Sequence, residues 1–432
     1  MSNRLRGRFP NRSSNRVPSW VLTAGGVPAS LDVDFVNDLA YCATSTSIGA
    51  LLTCTRSSSS GYYTKADGTL TTFAANTLRY GTSGLLVEGS ATNLTYPNDD
   101  FSVAWGSLGA TPTNATITLP TGASGTACSI VDSGSNSQHG AYPANQAGSL
   151  ATGTTHTISA YFKANNRAYA ALNMQASANN YVTKVFDLSG AGALGETKTG
   201  ATSGTFVSAT ITQLAGGWYR CTMTGSVTGG STPCFGAANA ATANSFNSTG
   251  MPTYTGGSNS AVYFVFAQSE VGTFASSYIP TTSGTAQRSS DVISLSTGSA
   301  FDNTNGASYG EANQFGRTAN PGQIMNNGSA YLLYLQNNGV VTIYDTTSGA
   351  QSTGSVSLST TFKAASNWNA GGNKRAVLNG TDGGTTAFDG TMGAAASTLY
   401  VGALSTGSQS FNGYIRRLAL WNTYVSDDVM MP

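Results

Sequence analysis

Residues 373–384 read NKRAVLNGTDGG, and residues 397–421 read STLYVGALSTGSQSFNGYIRRLALW. Two short apolar runs flank Asn379-Gly380. Both central residues of a type I′ turn need positive φ, so this dipeptide predicts a hairpin. A third run ends in Leu399-Tyr400-Val401-Gly402, and Gly413–Leu420 closes the stretch as another strand. In that last strand Ile415 has the opposite parity to Leu418 and Leu420. This predicts either two half-buried faces or a bulge near Arg416-Arg417.

The same grammar extends upstream. Ala330–Gln336 and Val340–Tyr344 form a second hairpin pattern turning at Asn338-Gly339. Ala261–Gln268 is apolar on both faces, as a central strand covered on each side would be. Thr157–Lys163 alternates, with Ile158, Ala160 and Phe162 on one face. Gly61–Leu70 reads as a hairpin turning at Asp67-Gly68, and Leu31-Asp32-Val33-Asp34-Phe35 as a half-buried strand with its acids outward. Ser426 is placed to cap a final helical turn. No fixed-period repeat is present, which argues against a β-helix or triple-repeat fibre.

A chain of 432 residues is too long for one sandwich. Charged residues are 9% of it, yet 40% are hydrophobic and 10% aromatic, enough for real cores beneath a polar, uncharged surface. The expected fold is all-β: two jelly-roll-like β-sandwiches preceded by an extended basic N-terminal arm. The expected boundaries are an arm over 1–30, a strand-rich lead-in over 31–95, a first sandwich over 96–285 and a second over 286–432. The lead-in strands form their own unit or pair with the second sandwich.

Net charge is +1, but Arg4, Arg6, Arg8, Arg12 and Arg16 precede the first acid, Asp32, and without them fifteen basic residues face nineteen acidic ones. The arm, with Trp20 as a docking anchor, can pair with an acidic neighbour, touch nucleic acid through phosphates, or stay a free tail. Without aromatic interleaving, five arginines are thin evidence for nucleic acid. No segment matches a secretory signal or a membrane span, so no membrane insertion is expected. The five cysteines lack CxxC spacing; Cys42 with Cys54, or Cys221 with Cys234, can pair across strands, or all stay buried thiols. Low charge also predicts a melting temperature nearly flat between pH 5 and 9 and across salt.

Catalytic patterns are sparse. Gly306–Gly310 matches GxSxG, but the motif needs a strand-to-helix turn and a later histidine, while His139 and His156 lie upstream. Both histidines read as surface or loop residues. Glycan cleavage needs two carboxylates roughly 5–9.5 Å apart. Glu88, Asp132, Glu270, Glu311 and Asp389 are conceivable members, with nothing in the sequence to pair them. The chain is therefore read as non-enzymatic, with no cofactor and no metal; Asp382 or Asp389 is a calcium oxygen donor or an exposed turn residue. Aromatic faces with a polar tip suit sugars. Tyr142, Tyr254 and Trp368 stand in turn-like context as glycan-contact candidates, whereas Trp218 and Trp421 fit strand patterns as core.

Four pieces occur in fixed order: Arg79-Tyr80-Gly81 with 84–94 (GLLVEGSATNL), then Trp105, then Gly217-Trp218-Tyr219-Arg220, then Ser277-Tyr278-Ile279-Pro280-Thr281 with Arg288-Ser289-Ser290-Asp291. Together they resemble tailed-bacteriophage virion proteins, head spikes and tail fibres, in which a carbohydrate-binding-module-like sandwich precedes a laminin G-like (concanavalin-type) one. The resemblance implies a structural, host-contacting protein located in the virion. Its arm, through Arg4, Arg6, Arg8, Arg12, Arg16 and Trp20, would dock on capsid or tail proteins. Its partners would be host surface polysaccharide and copies of itself, a trimer being common in such appendages. The alternatives are a decoration protein with a purely structural role, or a glycan-degrading appendage.

Overall fold

A computed structural model describes residues 17–58, 61–65, 67–98, 100–102, 104–144, 149–346, 349–394 and 396–425. Arg4, Arg6, Arg8, Arg12, Arg16 and the cap at Ser426 lie outside them. Strands make up 55% of the chain and helix 2%, so the fold is all-β.

Asn379 and Gly380 take φ of 47° and 80°, and Leu378 faces Thr381, as a type I′ turn between Asn373–Leu378 and Thr381–Ala387 requires. At the second hairpin Gly339 alone of the dipeptide has positive φ, 84°, and its N–H donates to Gln336 O. The turn from Tyr331–Leu335 into Val340–Asp345 is therefore a longer loop closed by a left-handed glycine.

The C-terminal sandwich is organised around Gly413–Trp421. One edge of this strand pairs with Asn305–Gln314; the other carries Leu31–Asp34 opposite Arg417–Leu420 and Gly84–Val87 opposite Gly413–Ile415. Opposite Asn305–Gln314 the register jumps from Arg417 to Ile415, which places a bulge at Arg416. The bulge lets Ile415, Leu418 and Leu420 all enter one core despite their parity. Thr361–Asn369, Asn373–Leu378 and Thr381–Ala387 extend this sheet on one side, and Leu39–Cys42 with Thr44–Thr46 on the other. The facing sheet runs Gly349–Ser355, Val340–Asp345, Tyr331–Leu335, Gly322–Asn326, Thr398–Val401, Val292–Ser296, Leu52–Thr55.

Strands from 31–95 thus stand in both sheets of this sandwich, and among the described residues no separate lead-in unit forms. Each has only two to four residues and cannot bury a core alone. The acids of Leu31–Asp34 are not outward as expected. Asp32 is fully buried, accepting from the Leu22 N–H at 2.7 Å and the Arg417 guanidinium at 2.6 and 2.9 Å. Val21, Ala24 and Ala29 cover this face of the sheet, and Trp20 packs half-buried beside them while its carbonyl accepts from Arg417. Trp20 is therefore docked on its own chain.

The middle sandwich pairs two six-stranded sheets. One runs Trp105–Leu108, Gly140–Pro143, Thr232–Ala238, Tyr169–Ser177, Asn180–Asp187, Ala193–Thr199; the other runs Ala110–Thr118, Ser124–Asp132, Ser260–Val271, His156–Ala164, Trp218–Ser226, Thr205–Gln213. Ile158, Ala160 and Phe162 meet Val262 and Phe264 in its core. The outer face of Ser260–Val271 is apolar because Tyr62, Leu70 and Tyr278 cover it against Val265, Phe266, Tyr161 and Trp218. The Tyr62–Thr64/Leu70–Thr72 hairpin thus lies on the middle sandwich although strands on either side of it belong to the C-terminal one. Ala91–Asn93 pairs with Ala286–Arg288 at the junction.

All five cysteines are free; Cys54, Cys128, Cys221 and Cys234 are buried and Cys42 half-buried. Both histidines are buried, not surface residues: His139 between Gly109 O and Tyr254 O, and His156 with Nδ1 3.0 Å from Thr154 O. Ser308 of the GxSxG match lies in mid-strand, buried, its hydroxyl 2.7 Å from that of Ser366, so no nucleophile elbow exists there. No helix among the described residues is long and apolar enough to cross a membrane.

Candidate functional site

Three of the four sequence pieces converge on the junction between the sandwiches, while Trp105 packs in the middle core against Phe101, Phe235 and Phe264. Arg79 precedes the Tyr80–Gly81 strand, Glu88 follows Gly84–Val87, Arg288 ends Ala286–Arg288 and Asp291 precedes Val292–Ser296. Each of these four side chains is about 1% exposed or less, as is Arg56. The Arg79 fork joins Glu88 Oε2 at 2.7 Å, Asp291 Oδ2 at 2.6 Å and Ser277 Oγ at 2.7 Å. Arg56 reaches Asp291 Oδ1 at 2.6 Å and donates to Ala74 O and Thr77 O. Glu88 also accepts from the Ser277 N–H at 2.7 Å and from its hydroxyl. Burial alone would raise the Glu88 pKa, but Arg288, Arg79 and Ser277 outweigh it and hold the carboxyl at about 2. Arg288 stands 3.6 Å from Glu88, and none of its three guanidinium nitrogens has a hydrogen-bond acceptor among the described residues. Gly61 crosses this cluster closely: a Cβ there would lie 3.3 Å from Arg79 Nη1.

On the neighbouring serine the pattern differs. Glu270, buried, accepts from Gln268 at 2.7 Å and from the Ser276 N–H at 3.0 Å and hydroxyl at 2.5 Å. Burial raises its pKa against those hydrogen bonds. Arg220, from Trp218–Ser226, donates to Ser276 O and lies over the Tyr161 ring at 5.7 Å, while its buried Nε has no acceptor among the described residues.

Above this floor opens a cleft of about 410 Å³ between the two sandwiches. One wall is the outer face of the middle sandwich, where Ser208, Thr210, Thr212, Thr222 and Thr224 present a hydroxyl ladder. Thr210 and Thr222 pair at 2.7 Å. The other walls carry Tyr62, Tyr63, Phe274, Phe315 and Tyr414, with ring centroids 6.3 Å apart for Tyr63–Tyr414 and 5.9 Å for both Phe315–Tyr414 and Phe274–Phe315. Exposed Leu358 stands at its rim, and Glu88 and Arg220 line its floor. A second cleft, of about 550 Å³, opens behind Glu270 between Gly89–Ala91, Arg317–Asn320 and Gly407–Asn412.

The residues singled out for glycan contact are elsewhere and not together. Trp368 is fully buried in the C-terminal core, its indole N–H donating to Asp302 O at 3.0 Å. It lies in the Thr361–Asn369 strand, not in a turn, and offers no face to a ligand. Tyr254 is 5% exposed, its ring 4.3 Å from that of His139 and capped by Arg167 at 4.5 Å, so it too is packing. Tyr142 is half-buried beside Leu108, Cys234 and Met251, its ring resting where a side chain at Gly106 would be. Among the acids, Asp132 pairs with Arg167, Glu311 with Arg416 and Asp382 with Arg375. Asp389 Oδ1 accepts the Thr391 N–H. No group of three His, Cys, Asp or Glu side chains able to hold a metal occurs among the described residues. Arg79, Glu88 and Asp291 carried one usable signal: charges set among apolar strands in a chain with few charges.

No family model matches the chain, and no curated protein matches its sequence. Solved structures similar to it include a Trypanosoma rangeli sialidase bound to the inhibitor DANA, at 16% identity and TM-score 0.24 over 30% of this chain and 22% of that one. A putative carbohydrate binding protein from Bacteroides ovatus matches at 10% identity and TM-score 0.25, over 64% and 78%. Mouse laminin α1 domains LG4-5 match at 9% and 0.20, over 79% and 91%. The chain spans about a fifth of the length of the sialidase. Carbohydrate-binding and laminin G-like β-sandwiches are thus among the neighbours, and none of those named is a bacteriophage protein. The non-enzymatic reading is corrected here, because sialidases stand among the same neighbours. Likenesses of this size carry no argument for any particular activity.

Proposed function

We propose that this chain is a glycan-binding β-sandwich protein and that the 410 Å³ cleft between its sandwiches is the binding site. The observation that carries the reading is the pairing of walls. A belt of aromatic rings faces a threonine ladder, and sugars present apolar ring faces and hydroxyl edges to match. The order of the four sequence pieces supports a place in a bacteriophage virion, as a fibre or spike anchored through its N-terminal arm. A purely structural, decorating role is the alternative.

The test is binding of the labelled protein to bacterial cells before and after enzymatic stripping of surface polysaccharide. Saturable binding, lost on stripping and weakened at least tenfold by Phe274→Ala with Phe315→Ala, is the expected result. Absence of binding by an oligomerised form across a host panel would leave the decorating role. Immunogold labelling of purified particles tests the virion placement.

A second reading, glycan hydrolysis, is favoured by one observation. Glu88 and Glu270 accept from consecutive serines, and their pKa values are pushed apart, as an acid and its partner base require. Against it, Glu88 lines the first cleft and Glu270 the second. Release of reducing ends from a bound polysaccharide, abolished by Glu270→Gln, would establish it.

A further inference from the structure

The charges under the cleft do not balance. Four guanidinium groups, Arg56, Arg79, Arg220 and Arg288, meet three carboxylates, Glu88, Glu270 and Asp291. The carboxylates are already saturated: Glu88 and Asp291 are gripped by Arg79, and Glu270 accepts three hydrogen bonds from Gln268 and Ser276. The donors are not. Among the described residues Arg288, fully buried, has no acceptor on any nitrogen, and Arg220 has a buried Nε without one. Buried cations without matching acceptors are destabilising, and a guanidinium fork is shaped for a carboxylate. Of these four arginines Arg220 lines the cleft, and the other charged lining residue, Glu88, is held by its own partners.

We infer that the cleft is specific for acidic saccharides, with Arg220 pairing to the carboxylate of a uronic- or nonulosonic-acid unit. This rests on the glycan-binding reading above. The sugar ring lies against the aromatic wall, its hydroxyls meet Thr210 and Thr222, and its carboxylate descends to the floor, where it supplies the missing negative charge. A neutral sugar would satisfy the ladder and the rings but leave the surplus unmatched.

The experiment uses the whole protein on an array of neutral and acidic bacterial capsular and O-antigen polysaccharides. Each acidic polysaccharide that binds is measured again after its carboxyl groups are reduced to alcohols. The expected result is binding confined to acidic members, at least tenfold weaker after reduction. Arg220→Gln should remove that difference, and Arg220→Lys should restore part of it. Melting of both variants within a few degrees of the parent separates this from unfolding. Equal binding of native and reduced polysaccharide overturns the acidic preference and leaves the cleft as a glycan site. Binding indifferent both to Arg220→Gln and to the Phe274/Phe315 substitutions overturns the cleft itself, as does no binding at all.

Discussion

Replacing Arg79 by Met would strand Glu88 and Asp291 without the fork that joins them. Removing one partner of a buried pair is destabilising by about 3–5 kcal/mol, and a denaturant midpoint should move accordingly. Titration gives a second handle. The Glu88 pKa is depressed to about 2 from an ordinary 4.5, so its contribution is complete above pH 4.5 and lost as pH falls towards 2. That difference corresponds to about 3 kcal/mol. Glu88→Gln should lower stability at pH 6, with parent and variant converging near pH 2. Glu270 acts oppositely: burial raises its pKa, so its contribution is greatest in acid and declines as pH rises past the free value. Burial lowers the His156 pKa, so its contribution is present above pH 6.5 and lost as pH falls through the lowered value. The flat melting profile expected from composition should therefore hold from pH 7 to 9 and give way on the acid side, as a fluorimetric series can check. Charged side chains read from sequence as surface by default, and beyond the apolar strands beside them nothing local marks Asp32, Arg79 or Glu88 as buried. Conversely, Trp368 beside Asn369 looked like a loop aromatic, because the strand that buries it carries polar neighbours on its other face.

Among the elements, those decided by local chemistry were legible and those decided by distant pairing were not. Asn379-Gly380 states its own turn, the apolar faces of 261–268 state a covered strand, and broken parity in 415–420 announces the bulge. Gly380→Ala has open space around Cβ but must hold φ near 80°, so it should destabilise by about 1 kcal/mol in denaturant unfolding. Leu418→Ala, fully buried beneath the bulge, should be destabilising by about 2–5 kcal/mol. Leu31–Asp34 pairs on one edge with nearby Leu39–Cys42, but its partner on the other lies more than 380 residues away, and no turn or periodicity encodes that choice. A chain shortened to begin at residue 96 would lose strands from both sheets of the C-terminal sandwich. It should bind a hydrophobic dye strongly and show a weakened near-ultraviolet circular dichroism signal.

Across the whole molecule, residues 31–95 weave the sandwiches together: into one for their strands, onto the other for the 62–72 hairpin, and through the junction for Arg79 and Glu88. Unfolding either sandwich would strip cover from its neighbour. Calorimetry should therefore record one cooperative transition, and Arg79→Met should split it into two. The beginning and end of this weave lie side by side. Ser30 donates through both its N–H and its hydroxyl to Leu420 O, and accepts from the Asn422 N–H, so residues 30 and 421 leave one sheet at the same end. In mechanical terms, tension applied between those two ends loads the Leu31–Leu420 ladder one rung at a time and unzips it at low force. Tension entering at residue 30 and leaving through a ligand held in the cleft instead runs across the ladder into the arginine–carboxylate cluster, where many bonds share the load.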